Sequence, residues 1–194
     1  MSSRRTVLKT FAGVPALSLI KLIPLQAVKA AHGIVRDEKN RAPGDTYIPK
    51  FFNQHDYSTL QALCQAIIPP DDHWGGAVEA DAPEFIDLLT SENEDYQRRL
   101  GGGLMWLDAT CLKRFNKNYL DCSDSDQKEI LDLIAYRVNA QNDASLTPGV
   151  DFLAFLRDLT VDAFFTSKIG IEYLGYIGNT FAAEFPGCPP VPGL

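Results

Sequence analysis

The sequence predicts an all-α protein, a compact bundle of about five or six helices with an extended N-terminal arm. Two observations predict this fold class. Apolar residues recur at helical spacing in several segments, and residues that start or stop helices flank those segments. No alternating run of β-branched residues of useful length is present in the sequence, so a sheet is not expected.

The N-terminus has the composition of an export signal. A short basic segment precedes a moderately apolar stretch, residues 11–27, which a glycine, a serine, a lysine and two prolines interrupt too often for a membrane-spanning helix. The basic segment resembles the twin-arginine export consensus, through Arg4, Arg5, Leu8 and Lys9. The alternative is an ordinary export signal that happens to contain two arginines.

Residues 1–30 are therefore interpreted as a twin-arginine signal peptide. Small residues at positions 28 and 30 favour cleavage between Ala30 and Ala31, although the sequence leaves open whether the signal is cleaved or retained. The expected location is the periplasm. Twin-arginine export carries folded proteins, often with a partner attached, and the resemblance implies such a route here.

The charge balance excludes one class of partner. Residues 1–30 hold five of the 18 basic residues and none of the 25 acidic ones, so the rest of the chain has a formal charge of −12. An acidic surface repels nucleic acid, whose phosphates require Lys or Arg. Nucleic-acid binding is therefore rejected. The length that remains after the signal and the arm fits one domain, at residues 51–194.

The predicted elements begin with an arm and two helices. Residues 31–50 are polar and contain two prolines, which predicts an extended arm. From Asp56, apolar residues recur at helical spacing and stop before Pro69, which predicts a first helix. A second helix begins near Asp81, whose side chain is expected to cap it, with Pro83 in the first turn.

Three further helices complete the predicted bundle. The longest periodic segment, residues 96–115, is interrupted by glycines 101–103, where we expect a kink or a close contact with another backbone. Ser123 is the predicted N-cap of a fourth helix. The fifth starts at Thr147 and is apolar almost all round, so it is expected to be central.

The C-terminal segment is rich in aromatic residues and glycine and poor in charge. Such a segment either folds back on the domain or presents an apolar surface to a partner. The candidate contact residues are Phe164, Phe165, Tyr173, Tyr176 and Phe185. The aromatics could also line the edge of a quinone or flavin, but packing is the favoured interpretation because an aromatic stripe by itself carries no redox chemistry.

Four cysteines, at positions 64, 111, 122 and 188, make an even number, which permits disulfides in an exported chain. No pair has the CxxC spacing, so covalent haem attachment and zinc-ribbon sites are excluded. A disulfide between Cys111 and Cys122 is the easiest to form, because a turn is expected between them. The alternative is that these thiols are buried and unpaired.

The sequence contains no convincing catalytic grouping. The histidines at positions 32, 55 and 73 lie in the arm or near loops, and neither a nucleophile elbow nor a dinucleotide-binding glycine motif is present. No catalytic activity, cofactor or metal of its own is therefore expected.

Two alternatives would make the chain a stand-alone periplasmic binding protein. The first is a metal site in the loop of Asp71, Asp72 and His73, with Glu79 and Asp81 nearby. These acids otherwise form turns and cap helices. The second is a small-ligand site in the helical core, against which stands the lack of convergent polar residues.

Several segments, taken in order, resemble a known family. They are TLQALCQAIIPPDD at 59–72, GAVEADAPEFID at 76–87, FFTS at 164–167 with glycines at 170 and 175, and FPGC at 185–188. In this order they resemble the gluconate 2-dehydrogenase subunit 3 family.

The resemblance implies a small, non-catalytic subunit of a periplasmic dehydrogenase that oxidises gluconate, sugars or polyols. In such complexes a large subunit carries FAD and the active site, and a membrane-bound cytochrome c subunit with haem c passes electrons to quinone. The small subunit escorts the flavoprotein through the twin-arginine translocase and helps it to mature. Its partners would hold it at the periplasmic side of the inner membrane.

Overall fold

The computed structural model describes residues 24–41 and 47–176, and within them the chain is helical with no strand. The all-α prediction is confirmed. The helices are α1 (Pro24–Arg41), α2 (Gln54–Ile67), α3 (Ala82–Ser91), α4, α5 (Asp124–Ile134), α6 (Arg137–Asn142), α7 (Thr147–Thr166) and α8 (Lys168–Tyr173). Helix α4 joins three pieces, an α turn (Glu94–Tyr96), a π turn (Gln97–Gly101) and a longer α-helix (Gly102–Phe115). These eight helices exceed the five or six predicted.

Helix α7 is the centre of the bundle, as its sequence predicted. It packs against α2, α3, α4, α5, α6 and α8. Phe152, Leu156, Leu159 and Ala163 are among the residues that it contributes to the buried core. A helix surrounded by others on most sides has to be apolar on most sides.

Helix ends follow the local signals in most cases. The Ser123 side chain accepts a hydrogen bond from the backbone N–H of Asp126 and caps α5, as predicted. Helix α2 ends at Ile67, just before the prolines. Asp81 occupies the N-cap position of α3, but its side chain makes no capping hydrogen bond and binds Lys39 instead, so the predicted cap is wrong.

The glycines of α4 have different surroundings. The π turn ends at Gly101, which provides the predicted irregularity. A Cβ atom at Gly103 would lie 2.0 Å from the ring of Phe152 on α7, whereas Gly101 and Gly102 face open space. The close contact expected at these glycines is therefore made to a side chain and not to another backbone.

The extended arm predicted for residues 31–50 is helical over its first half. Helix α1 runs to Arg41, and the prolines that suggested an arm come after its end. Ala31 and Val35, one turn apart, are completely buried, and α1 packs against α3. Residues 47–49 lack regular structure, and residues 42–46 lie outside the described part of the chain.

Two contacts beside Ala31 and Val35 hold α1 in place. The His32 ring stacks on Phe85 with a centroid distance of 4.7 Å and hydrogen-bonds the Thr166 hydroxyl. Lys39 binds Asp81 at 2.5 Å and Glu84 at 2.9 Å.

Among the described helices, none has the length and apolarity needed to cross a bilayer.

Candidate partner interface

An aromatic surface lies where α7 turns into α8. Tyr173 is its centre, with its ring centroid 6.1 Å from Trp74 and 6.2 Å from Phe165. Leu174 and Tyr176 continue the surface along the chain, with exposed fractions of 59% and 54%. We define these five residues, Trp74, Phe165, Tyr173, Leu174 and Tyr176, as the aromatic patch. Large apolar side chains exposed together are typical of an interaction site.

A tight corner between the two helices positions Tyr173. The Ser167 side chain ends α7 by donating to the Phe164 carbonyl oxygen, and it caps α8 by accepting from the Gly170 N–H at 3.1 Å. A Cβ atom at position 170 would lie 2.0 Å from that same carbonyl oxygen. Only glycine permits such an approach, so Gly170 brings α8 down onto the end of α7.

The loop after α2 supplies Trp74. Asp71 accepts hydrogen bonds from the backbone N–H groups of His73 and Trp74, at 2.8 and 2.7 Å, and these bonds lower the pKa of its carboxyl group. The turn is closed by a bond from the Asp71 N–H to the Trp74 carbonyl oxygen. Asp71 therefore holds the turn that presents the Trp74 ring edge-on to Tyr173.

The structure divides the predicted contact residues into three groups. Tyr173 and Tyr176 are exposed by about half, and Phe165 is half-buried. Phe164 has 3% of its surface exposed and supports the patch from beneath, so it is not a direct contact residue. Phe185 lies outside the described residues.

Sequence reasoning missed Trp74 and Leu174 as members of the patch. Trp74 is 99 positions away from Tyr173 in the sequence and lies in a loop without periodicity. The available signal was a tryptophan in a turn-rich loop, since large aromatics there are enriched at interfaces.

The acidic loop does not assemble as a metal site in the described structure. One oxygen of Asp71 already accepts two backbone hydrogen bonds, Glu79 accepts one from the Gly76 N–H, and Asp81 binds Lys39. Across residues 24–41 and 47–176, no three His, Cys, Asp or Glu side chains come together as metal ligands would. The acids of this loop act as turn and ion-pair residues.

The three histidines lie apart in the structure. His32 is docked on Phe85, and burial lowers its pKa. His55 on α2 binds Asp108 of α4 at 2.6 Å, and this hydrogen bond raises the pKa of His55. His73 is exposed in the loop. They form no common site.

Two shallow grooves in the described part of the chain are candidates for a small-ligand site. One, of about 210 Å³, is lined mainly by apolar residues of α2, α5 and α7 together with Asp132 and Arg157. The other, of about 280 Å³, lies between α4 and α7 beside Arg98 and Arg99. The first groove is mostly apolar, whereas Arg98, Arg99 and Asp151 line the second. Both are open to solvent, unlike the concave pocket that encloses most of a specifically bound ligand.

Cys111 and Cys122 lie together, and both are free thiols in the structure. Burial raises the pKa of both thiols, and each lies close enough to the other to influence its pKa further. The predicted disulfide between them stays a prediction.

The signal residues Arg4, Arg5, Leu8 and Lys9 lie outside the described residues, and the predicted cleavage bond after Ala30 lies inside α1.

A comparison with protein families decides the classification. The family model described as gluconate 2-dehydrogenase subunit 3 matches residues 54–187, which is most of the chain. The chain belongs to the gluconate 2-dehydrogenase subunit 3 family. It is therefore an accessory subunit of a dehydrogenase complex. No curated protein sequence and no solved structure matches it.

The matched region of this subunit 3 protein corresponds to a defined set of helices. It begins at Gln54, the first residue of α2, and contains α2 to α8 together with the whole aromatic patch. Helix α1 and residues 47–53 precede the match, yet they pack onto it through Phe85, Asp87 and Thr166. The family domain thus carries the patch, and α1 is an addition at its N-terminal side.

Proposed function

We propose that this chain is the non-catalytic small subunit of a periplasmic flavin-dependent dehydrogenase that oxidises gluconate, a sugar or a polyol. It binds the FAD-containing large subunit through the aromatic patch, stabilises that subunit and escorts it through the twin-arginine translocase. FAD belongs to the large subunit, and haem c belongs to a membrane-bound cytochrome c subunit of the same complex.

The aromatic patch is the observation that supports the binding role. Tyr173, Leu174 and Tyr176 expose about half of their surfaces or more, next to Trp74. Interfaces are enriched in aromatic residues at their core and have a polar rim. Here the exposed pair Lys168 and Glu172 on α8 provides charged groups beside the patch. A flavoprotein surface with an apolar centre and a polar rim would fit it.

The N-terminal sequence supports the escort role. Arg4 and Arg5 resemble the twin-arginine motif, and that route carries folded proteins. A signal on an accessory subunit exports a partner only when the two are already bound. Binding through the patch and export through the signal are therefore two parts of one function, and they are tested separately.

The binding part is tested by Leu174→Asp with Leu112→Asp as the matched control. Both leucines expose about half of their surface, 59% and 49%, but Leu112 lies on α4 outside the patch. We expect Leu174→Asp to weaken binding of the co-expressed FAD subunit at least about tenfold, because a charge would be buried in the contact. Pull-down and calorimetry measure this. Equal affinity of the two variants would exclude the patch.

The export part is tested by Arg4→Lys combined with Arg5→Lys, which preserves charge but alters the motif. We expect the FAD subunit to accumulate in the cytoplasm while it still binds the small subunit. Fractionation and dehydrogenase activity in the periplasm measure the outcome. Unchanged periplasmic activity with this variant would exclude the escort role and leave the binding result intact.

A further inference from the structure

We propose that Cys111 and Cys122 are the site of an intramolecular disulfide, formed when the folded chain meets a disulfide oxidant. Cys111 lies in the last turns of α4, and Cys122 follows the 3₁₀ turn Tyr119–Asp121. Both side chains are buried in the core, with 0% and 7% exposed, and the Tyr119–Asp121 turn that leads into Cys122 packs against α4. The two cysteines therefore lie in neighbouring segments of the folded core.

The turn between the two cysteines is held from both sides. Asn116 ends α4 in the left-handed conformation, with φ of 58°, and reverses the chain. Asp108 of α4 accepts a hydrogen bond from the Tyr119 N–H at 2.9 Å. Gln127 of α5 donates to the Tyr119 carbonyl oxygen at 2.9 Å. These contacts keep the Cys122 backbone against α4, so the two thiols stay near each other.

The third cysteine in the described residues has a different neighbour. Cys64 of α2 is completely buried and lies 3.6 Å from the Thr160 hydroxyl of α7. Cys188 lies outside the described residues. Among the three described cysteines, Cys64 packs against α7, whereas the turn after α4 brings Cys122 beside the helix that carries Cys111, so the structure favours the Cys111–Cys122 pairing.

The reaction is a thiol–disulfide exchange. The thiolate of Cys122, the more exposed of the two, attacks a disulfide oxidant such as oxidised glutathione and forms a mixed disulfide. This first attack breaks the oxidant's S–S bond and releases one reduced thiol; Cys111 then attacks the Cys122 sulfur and releases the second. Two electrons and two protons pass from the cysteine pair to the oxidant. Because burial raises the pKa of both thiols, oxidation of the folded chain is expected to be slow and to accelerate as pH rises.

Peptide mapping tests the pairing on the full-length chain. The purified reduced protein is incubated with oxidised glutathione, unfolded, alkylated and digested with trypsin, which cuts after Lys113, Arg114 and Lys117 between the two cysteines. We expect residues 100–113 to be linked to residues 118–128, with Cys64 alkylated. Alkylation of both Cys111 and Cys122, a stable glutathione adduct on either, or a link to Cys64 or Cys188 would overturn the proposal.

A stability measurement distinguishes a formed disulfide from two neighbouring free thiols. The urea midpoint of the oxidised chain is expected to fall when dithiothreitol is added, since the bond restricts the unfolded chain. The same reductant is expected to leave the midpoint of Cys111→Ser unchanged. An equal response in both proteins would overturn the assignment. These tests use purified protein, so a failure of the proposed export role leaves their outcome unaffected.

Discussion

At the scale of single residues, Asp87 joins two parts of the chain that the sequence keeps apart. It lies on α3 with no exposed surface. Its two oxygens accept hydrogen bonds from the Tyr47 hydroxyl and from the backbone N–H groups of Lys50, Phe51 and Phe52, at 2.6 to 3.1 Å. A carboxylate can accept about four such bonds. Asp87 therefore fixes the chain that leads into α2.

We predict that Asp87→Asn lowers the free energy of unfolding by about 3 kcal/mol, because the amide nitrogen would face N–H donors and leave some of them buried without an acceptor. Asp158→Asn, at an exposed position of α7, is the matched control and is expected to change stability by less than about 0.5 kcal/mol. Urea unfolding measures both. If Asp87→Asn lowers the free energy of unfolding no more than Asp158→Asn does, Asp87 does not have this anchoring role.

These residues also show which local features a sequence can predict. Ser123 was predicted as a cap because its partner Asp126 is three positions away. Asp81 was predicted as a cap in the same way, but Lys39, 42 positions earlier, binds its side chain instead. Contacts between neighbours follow from spacing, whereas contacts between distant residues depend on how the helices pack.

At the scale of elements, α4 shows the effect of packing on one glycine among three. Gly103 meets Phe152 of α7 so closely that a Cβ atom would lie 2.0 Å from its ring. Gly102, the preceding residue, is exposed and has no neighbour within 4 Å of a Cβ position. The two glycines have similar sequence neighbourhoods, so the structure makes a prediction that the sequence cannot.

We predict opposite effects of alanine at these two positions. Gly103→Ala is expected to reduce the free energy of unfolding by about 2 kcal/mol, because Phe152 must move within a packed core. Gly102→Ala is expected to increase it by about 0.5 to 1 kcal/mol, since alanine favours the helix and restricts the unfolded chain. Urea unfolding under identical conditions measures both. The same sign for the two variants would show that the contact with Phe152 is unimportant.

How well each helix could be predicted depended on the pattern of apolar residues in its sequence. Helix α7 was predicted with its start and its central position, because a helix buried on most sides is apolar on most sides. Helix α8 was missed, since it has only six residues and depends on the corner at Gly170. The aromatic patch was predicted in part, because Tyr173 and Tyr176 stand in the apolar tail while Trp74 reaches them only in the folded chain.

At the scale of the whole molecule, α1 overlaps the end of the predicted signal and packs onto the family domain. The predicted cleavage bond between Ala30 and Ala31 lies within this helix, and Ala31 is completely buried. Burial disfavours the charged form of Lys39, but its hydrogen bonds to Asp81 and Glu84 outweigh this and raise its pKa. The ammonium group therefore stays charged at neutral pH and holds the end of α1 on α3.

The docked helix is expected to limit cleavage of the signal, because proteases bind their substrates as extended chains and a docked helix must first open locally. We predict that a bacterial signal peptidase in detergent cuts the purified full-length chain slowly after Ala30. Lys39→Ala, which removes the ion pairs with Asp81 and Glu84, is expected to increase the rate about tenfold, equivalent to about 1.4 kcal/mol of lost docking energy.

Arg36→Ala is the matched control, since Arg36 lies on the same helix with an exposed side chain. It is expected to leave the cleavage rate unchanged. Intact mass spectrometry follows the loss of residues 1–30, and circular dichroism verifies that each variant remains helical. If all three proteins are cut at one fast rate, α1 does not protect the bond, and the signal is removed regardless of docking. If only Lys39→Ala is cut quickly, the folded subunit keeps its signal for as long as α1 stays on α3.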